Sequence, residues 1–139
     1  GEGDGPDSIR QALHDCGAQR IGHGTRLGED PALLEDIVAR RIPLEMCLTS
    51  NVHTRTVPSL AAHPCKAYVE RGAVVTLNTD GRLVDGISLT DEYFLAHSVC
   101  GLTETDLARL VLNACESAFL PEFEKVALVS RVQGELEAL

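Results

Sequence analysis

Apolar residues recur along this chain at two spacings, and the alternation between them predicts its architecture. Ile9, Ala12, Leu13 and Cys16 fall three and four apart, as on one helix face, with Asp7 or Ser8 as cap and Gly17 as a left-handed stop. A short run from Ala18 to Ile21 leads into Gly22-His23-Gly24. Asp30 before Pro31 reads as a cap followed by a first-turn proline, and Leu33, Leu34, Ile37 and Val38 give the next helix an apolar side. Ile42 to Leu48 is short and apolar, the pattern of a buried strand. Thr49 to Ala62 is polar and aperiodic, and reads as a long functional loop holding one helical turn. His63-Pro64 opens a helix that carries Tyr68 and Val69 and stops at Gly72. Ala73 to Leu77, β-branched and uncharged, predicts a strand buried on both faces. Thr90 is expected to cap a helix with Asp91 and Glu92 in its first turn and Gly101 at its end. Thr103 and Asp106 have capping-box spacing ahead of the stripe Leu107, Leu110, Val111, Ala114 and Cys115, and Pro121 opens a last helix.

Strand, loop and helix repeating at steps of roughly 25 to 30 residues is the rhythm of parallel βα units, which wind into an open sheet or close into a barrel. The length of 139 residues suits one domain or part of a larger one, and 44% hydrophobic with 24% charged residues excludes a disordered chain. No apolar run approaches the roughly 20 residues that cross a bilayer. Twenty-one acids against 12 bases leave a net charge of −9, a field that repels nucleic-acid backbones and anionic membranes alike. The five cysteines are odd in number and widely spaced, so Cys-x-x-Cys zinc and redox motifs are absent. Together with an opening, Gly1 to Gly5, that lacks the basic and apolar regions of a secretory leader, free thiols lead us to expect a cytoplasmic protein.

Three groups with chemical potential stand at strand ends. Glu2 lies at the start, His23 between two glycines, and Asp80 after Asn78-Thr79. Each alone is an ordinary turn or surface residue. Their separations of 21 and 57 residues are about one and two βα units, which brings them above the C-terminal ends of the strands, where barrel enzymes work. His14, His53, His63 and His97 read as surface or structural residues, with His53 on a loop long enough to reach the site. The glycines at 1, 3 and 5 depart from phosphate-loop spacing, and Glu2 and Asp4 would repel a phosphate.

The motifs resemble those of adenosine deaminases. Gly1-Glu2-Gly3 is similar to the end of their His-Ala-Gly-Glu motif, and Ile21 to Gly24 to their Gly-His-Gly motif. Leu44 to Asn51 resembles the Leu-Glu-x-Cys-Pro-x-Ser-Asn strand, Leu77 to Asp80 the Asn-Thr-Asp motif, and Phe119-Leu120-Pro121 a further signature. The resemblance implies an α/β fold: the C-terminal half of a (β/α)8 TIM-type barrel, whose full form needs about 250 residues. Residues 1–139 would then be the later part of a single barrel domain, from the end of strand five, with the N-terminal half elsewhere.

The resemblance also implies hydrolytic deamination of adenosine to inosine and ammonia at one zinc ion. Asp80 would be this chain's zinc ligand, with three histidine ligands outside it. His23 would orient the attacking water, and a protonated Glu2 would donate to the purine ring nitrogen. Such a carboxyl needs a raised pKa. Where many members carry a second aspartate against the imidazole part of the purine, this chain has Gly81, so the substrate-binding contact there is reduced to backbone or water. Expected partners are a small purine nucleoside and the missing half of the barrel, with no nucleic acid and no membrane. The alternatives are the same chemistry on adenine or another 6-aminopurine, and a non-catalytic nucleotide-binding α/β module.

Overall fold

The computed structural model describes residues 2–138, so of the opening motif Gly1 lies outside the described residues. Helix α1 (Gly5–His14) leads to strand β1 (Ile21–Gly22), a 3-10 turn (Thr25–Glu29) and α2 (Pro31–Ala39). Strand β2 (Leu44–Met46), α3 (Leu48–His53), a 3-10 turn (Leu60–Ala62) and α4 (Cys65–Glu70) follow. After strand β3 (Val75–Leu77) come α5 (Arg82–Asp85), α6 (Leu89–Ser98), α7 (Glu104–Glu116) and α8 (Glu122–Glu137). The strands form one parallel sheet in the order β1-β2-β3, with Ile21 opposite Leu44 and Leu44 opposite Val75. Parallel neighbours joined through helices are the predicted βα units. No described helix is long and apolar enough to cross a membrane.

Side chains alternate across the sheet. Leu44, Met46, Val75 and Leu77 join the core with Ile9 and Leu13 of α1 and Leu33, Leu34 and Ile37 of α2. Gly22, Glu45 and Thr76, in register with one another, share the opposite face. There Glu45 pairs with Arg20 at 3.2 Å, and Arg20 also stacks on Phe119 and donates to the Ser117 carbonyl. Within the described residues β1 and β3 each keep an edge with no strand beside it. On β3, Val74 C=O accepts from Leu44 N–H, so Val75 C=O points to the outer side, where the Asn113 amide donates to it at 2.9 Å.

Several boundaries differ from expectation. Helix α1 starts at Gly5, with Pro6 in its first turn and no side-chain cap, and Ser8 bonds back to the Gly5 carbonyl instead of capping. The Asp30 cap stands as predicted, its carboxylate accepting from Leu33 N–H at 3.1 Å. Both flanks of the predicted 42–48 strand are lost, because Leu48 already belongs to α3. That helix, with the 3-10 turn at Leu60, replaces most of the long loop predicted over 49–62. The capping residue of α6 is Ser88, in a reciprocal box with Asp91, and not Thr90. The Thr103–Asp106 box of α7 forms as its spacing implies.

Candidate active site

His23 and Asp80, at the ends of β1 and β3, share an unusual backbone. Both have left-handed φ, 61° and 48°, although neither is glycine. Such conformations cost roughly 1–3 kcal/mol each and persist where the surroundings enforce them. At β1 the enforcing residue is Gly24, itself at φ 66°, where a Cβ would stand only 2.9 Å from the Leu44 side chain. The turn is thus pressed onto the core, and it swings the His23 ring over the strand ends.

Between these two turns α3 begins directly after β2. Its first N–H groups would be buried without partners, but the Glu92 carboxylate of α6 accepts from Leu48 N at 2.7 Å and Thr49 N at 3.1 Å. Glu92 is itself only 1% exposed, so this capping charge is fully inside the protein. Held in this way, α3 presents Ser50 and Asn51 to the site. The Ser50 hydroxyl donates to Asp80 Oδ2 at 2.8 Å. Asn51, completely buried, joins four groups: its amide nitrogen lies 2.9 Å from Glu2 Oε1 and 3.0 Å from His23 Nδ1, and its oxygen accepts from Thr25 Oγ1. His63 Nε2 lies 3.1 Å from that same oxygen. Thr54 adds a hydroxyl bond to Glu2 Oε1.

All three predicted catalytic and metal residues meet here. His23 Nε2 stands 3.8 Å from Glu2 Oε2 and 3.8 Å from Asp80 Oδ2. Gly81 follows at φ −83° ahead of α5, and a Cβ on it would meet only Val84 at an ordinary 3.6 Å. An open cleft of about 340 Å³ beside Asp80 is lined by Leu77, Asn78, Thr79, Arg82 and Leu89. Among the described residues no group of three or more His, Cys, Asp or Glu side chains is arranged to hold a metal ion. Asp80 is the part of a metal site that fits: Ser50 holds Oδ2, and no described hydrogen bond engages Oδ1.

The electrostatics correct one expectation. Burial pushes the Glu2 carboxyl up, but opposing causes, led by the hydrogen bonds from Thr54 and Asn51, hold the group below the ordinary carboxylate range. This direction runs opposite to the raised pKa that the motif resemblance implies for a protonated Glu2. Burial, reinforced by the charges of Asp80 and Glu92, pushes the neighbouring Cys47 thiol to about 12, which removes it as a nucleophile.

His53 does not turn into the site; its Nδ1 pairs with Asp85 at 2.7 Å. His97 bonds the Leu102 carbonyl and His14 approaches Asp36, both structural roles. Sequence reasoning passed over Ser50, Asn51, His63 and Glu92 as site residues. Ser50 and Asn51 lie in the Leu44-to-Asn51 motif, whereas His63 and Glu92 carry no local signal.

Comparison with known proteins agrees with this geometry. The adenosine deaminase of Klebsiella pneumoniae (strain MGH 78578) is 47% identical over 132 residues, 95% of this chain and 40% of that protein. The chain thus spans about 40% of the length of the curated relatives it matches. The crystal structure of an adenine deaminase from Arthrobacter aurescens superposes with a TM-score of 0.92 at 30% identity, over 99% of this chain and 42% of that one. The N6-methyl-AMP deaminase of Arabidopsis thaliana does so at 0.80, also 30% identical, over 96% and 39%. The three parallel βα units are accordingly a segment of the TIM-type barrel of these deaminases. The adenosine deaminase family profile matches residues 1–135, and the chain belongs to the adenosine deaminase family.

Proposed function

We propose that this chain is the C-terminal part of a zinc-dependent deaminase that converts adenosine to inosine and ammonia, its single barrel domain completed by polypeptide upstream. The observation that carries the reading is the convergence of Glu2, His23 and Asp80, with His23 Nε2 3.8 Å from both carboxylates. Asp80 is the residue here that would hold zinc, with histidines of the upstream half completing the set, because catalytic zinc generally takes three or more protein ligands. When bound, zinc supplies a nucleophile at neutral pH by lowering the pKa of water towards ~7.

The other work falls to this chain's side chains. Ser50 fixes one oxygen of Asp80 and leaves the other for the metal. His23, locked at the Gly22-His23-Gly24 turn, orients the water against the carbon that bears the amino group. Glu2, a carboxylate at rest, takes a proton from the attacking water and passes it to the adjacent ring nitrogen, which lowers the aromatic resistance to attack. The proton left on the added hydroxyl then passes to the amino group, which departs as ammonia as the carbon–nitrogen bond breaks and the carbonyl forms.

Gly81 supports a second reading, the same reaction on adenine or another 6-aminopurine, since it removes the side-chain contact that many family members make to the imidazole ring. The fold neighbour at TM-score 0.92 is an adenine deaminase. Loss of the ultraviolet absorbance of adenosine, adenine and adenylate, followed with the full-length protein at measured zinc content, separates the two. Turnover of adenosine well above adenine is expected. A zinc-replete protein that deaminates none of the three overturns both readings.

A further inference from the structure

One hydrogen-bond chain beneath the site begins at a group whose role admits no choice, the backbone N–H of Cys65. It donates to His63 Nδ1 at 3.1 Å, so that ring nitrogen is unprotonated and the proton of the neutral ring sits on Nε2. His63 is buried among α3, α4 and the 60–62 turn, and burial lowers its pKa to about 4, which keeps the ring neutral. Nε2–H then donates to Asn51 at 3.1 Å, and the atom that receives it must be the amide oxygen. Thr25 Oγ1 donates to the same oxygen. The orientation of the Asn51 amide follows from these donors.

With the oxygen turned towards His63 and Thr25, the amide NH2 faces the site. It carries two N–H groups and no lone pair able to accept. One reaches Glu2 Oε1 at 2.9 Å and the other His23 Nδ1 at 3.0 Å. Nδ1 of His23 is therefore an acceptor, and its proton lies on Nε2, the nitrogen that stands between the Glu2 and Asp80 carboxylates.

We propose that Asn51, locked in one orientation by His63, is a positioning residue that holds His23 as the Nε2–H tautomer and so makes it a hydrogen-bond donor to the reacting oxygen. This rests on the reading of His23 as the residue that orients the water. The arrangement assigns proton transfer to Glu2 and leaves His23 to donate without giving up its proton. Asn51→Asp keeps the size of the side chain but presents only acceptors, which demands a proton on His23 Nδ1. His63→Gln keeps a donor towards Asn51, and His63→Leu removes it.

The test is 15N-detected NMR of the zinc-loaded, full-length protein labelled at histidine, with the His23 signals assigned by their loss in His23→Gln. The parent is expected to show a bare Nδ1 and a protonated Nε2 at His23. Asn51→Asp should exchange the two, with kcat reduced about a hundredfold, the lower end of what positioned proton-transfer groups contribute, and KM little changed. His63→Gln should retain the parental tautomer, and His63→Leu should give a mixture. A protonated Nδ1 in the parent overturns the proposal without any variant having to fold. Retention of the parental tautomer in a folded Asn51→Asp protein overturns it as well. If the tautomers behave as expected while kcat stays at the parental value in Asn51→Asp, it is the catalytic reading of His23 that fails.

Discussion

The two strand-end turns that build the site are finished to different degrees. At β1 the His23 turn is closed from every side: Gly24 packs on Leu44, Asn51 bonds the ring, and the side chain is 20% exposed. At β3 the Asp80 side chain is 48% exposed, holds one hydrogen bond from Ser50, and is followed by α5, whose Leu83 and Val84 are 100% and 90% exposed. The half of the site proposed to handle protons is thus preorganised within this chain. The half proposed to bind metal is left open. Apolar side chains do not stay in water without a cover in a finished protein when they gather in patches, and α8 repeats the point with Phe123 and Val126 exposed and no residue buried.

The contrast can be broken at either turn. Asp80→Ala should give the largest effect, loss of zinc together with loss of turnover, read by metal analysis and the absorbance assay on the full-length protein. Equal metal retention in variant and parent would remove Asp80 from the ligand set. Glu2→Gln should keep its zinc and its fold yet lose 10²–10⁴-fold in turnover, the usual range for a proton-transfer group. Near-parental activity would end the role given to Glu2.

A smaller effect concerns the layer beneath. His63 is neutral in the fold because burial lowers its pKa from 6.5 to about 4, so the unfolded chain binds the proton more readily. Its contribution is whole above pH 6.5 and is lost as pH falls towards 4, by about 3 kcal/mol at 1.36 kcal/mol per unit. Denaturant titrations across that window should show a shallower pH dependence in His63→Gln. An unchanged slope would mean that other groups carry the acid sensitivity. Smallest of all, Gly81→Asp has room for its side chain and should raise kcat/KM for adenosine roughly tenfold, the worth of one good hydrogen bond to a charged group. No gain, or a loss, would indicate that Gly81 reads a different purine.

Much of this was legible in the sequence where cause and effect are close along the chain. Asp30 and Pro31 start α2, Thr103 and Asp106 box α7, and β-branched Val74, Val75 and Thr76 give a strand buried on both faces, each through neighbours a few residues away. His23 and Asp80 were legible as strand-end residues because they closely follow the ends of β1 and β3, whereas no described strand precedes Glu2. Helix α3 was not, because its N-terminal cap comes from Glu92, 44 residues after Leu48. Nor was the environment of Glu2, whose carboxylate is held low by Asn51, 49 residues on, and by Thr54, 52 on. Such contacts are made only when the sheet closes, and no local pattern records them.

The central claim, that this chain brings a finished proton-handling turn and one open metal ligand to a shared zinc site, is tested most directly by a crystal structure of the zinc-loaded, full-length protein. The account predicts zinc within about 2.0–2.2 Å of Asp80, completed by histidines from upstream of Gly1, with Glu2 and His23 facing the same cleft but not bound to the metal. Zinc bound elsewhere, or Asp80 still held by Ser50 with the metal out of its reach, would contradict it.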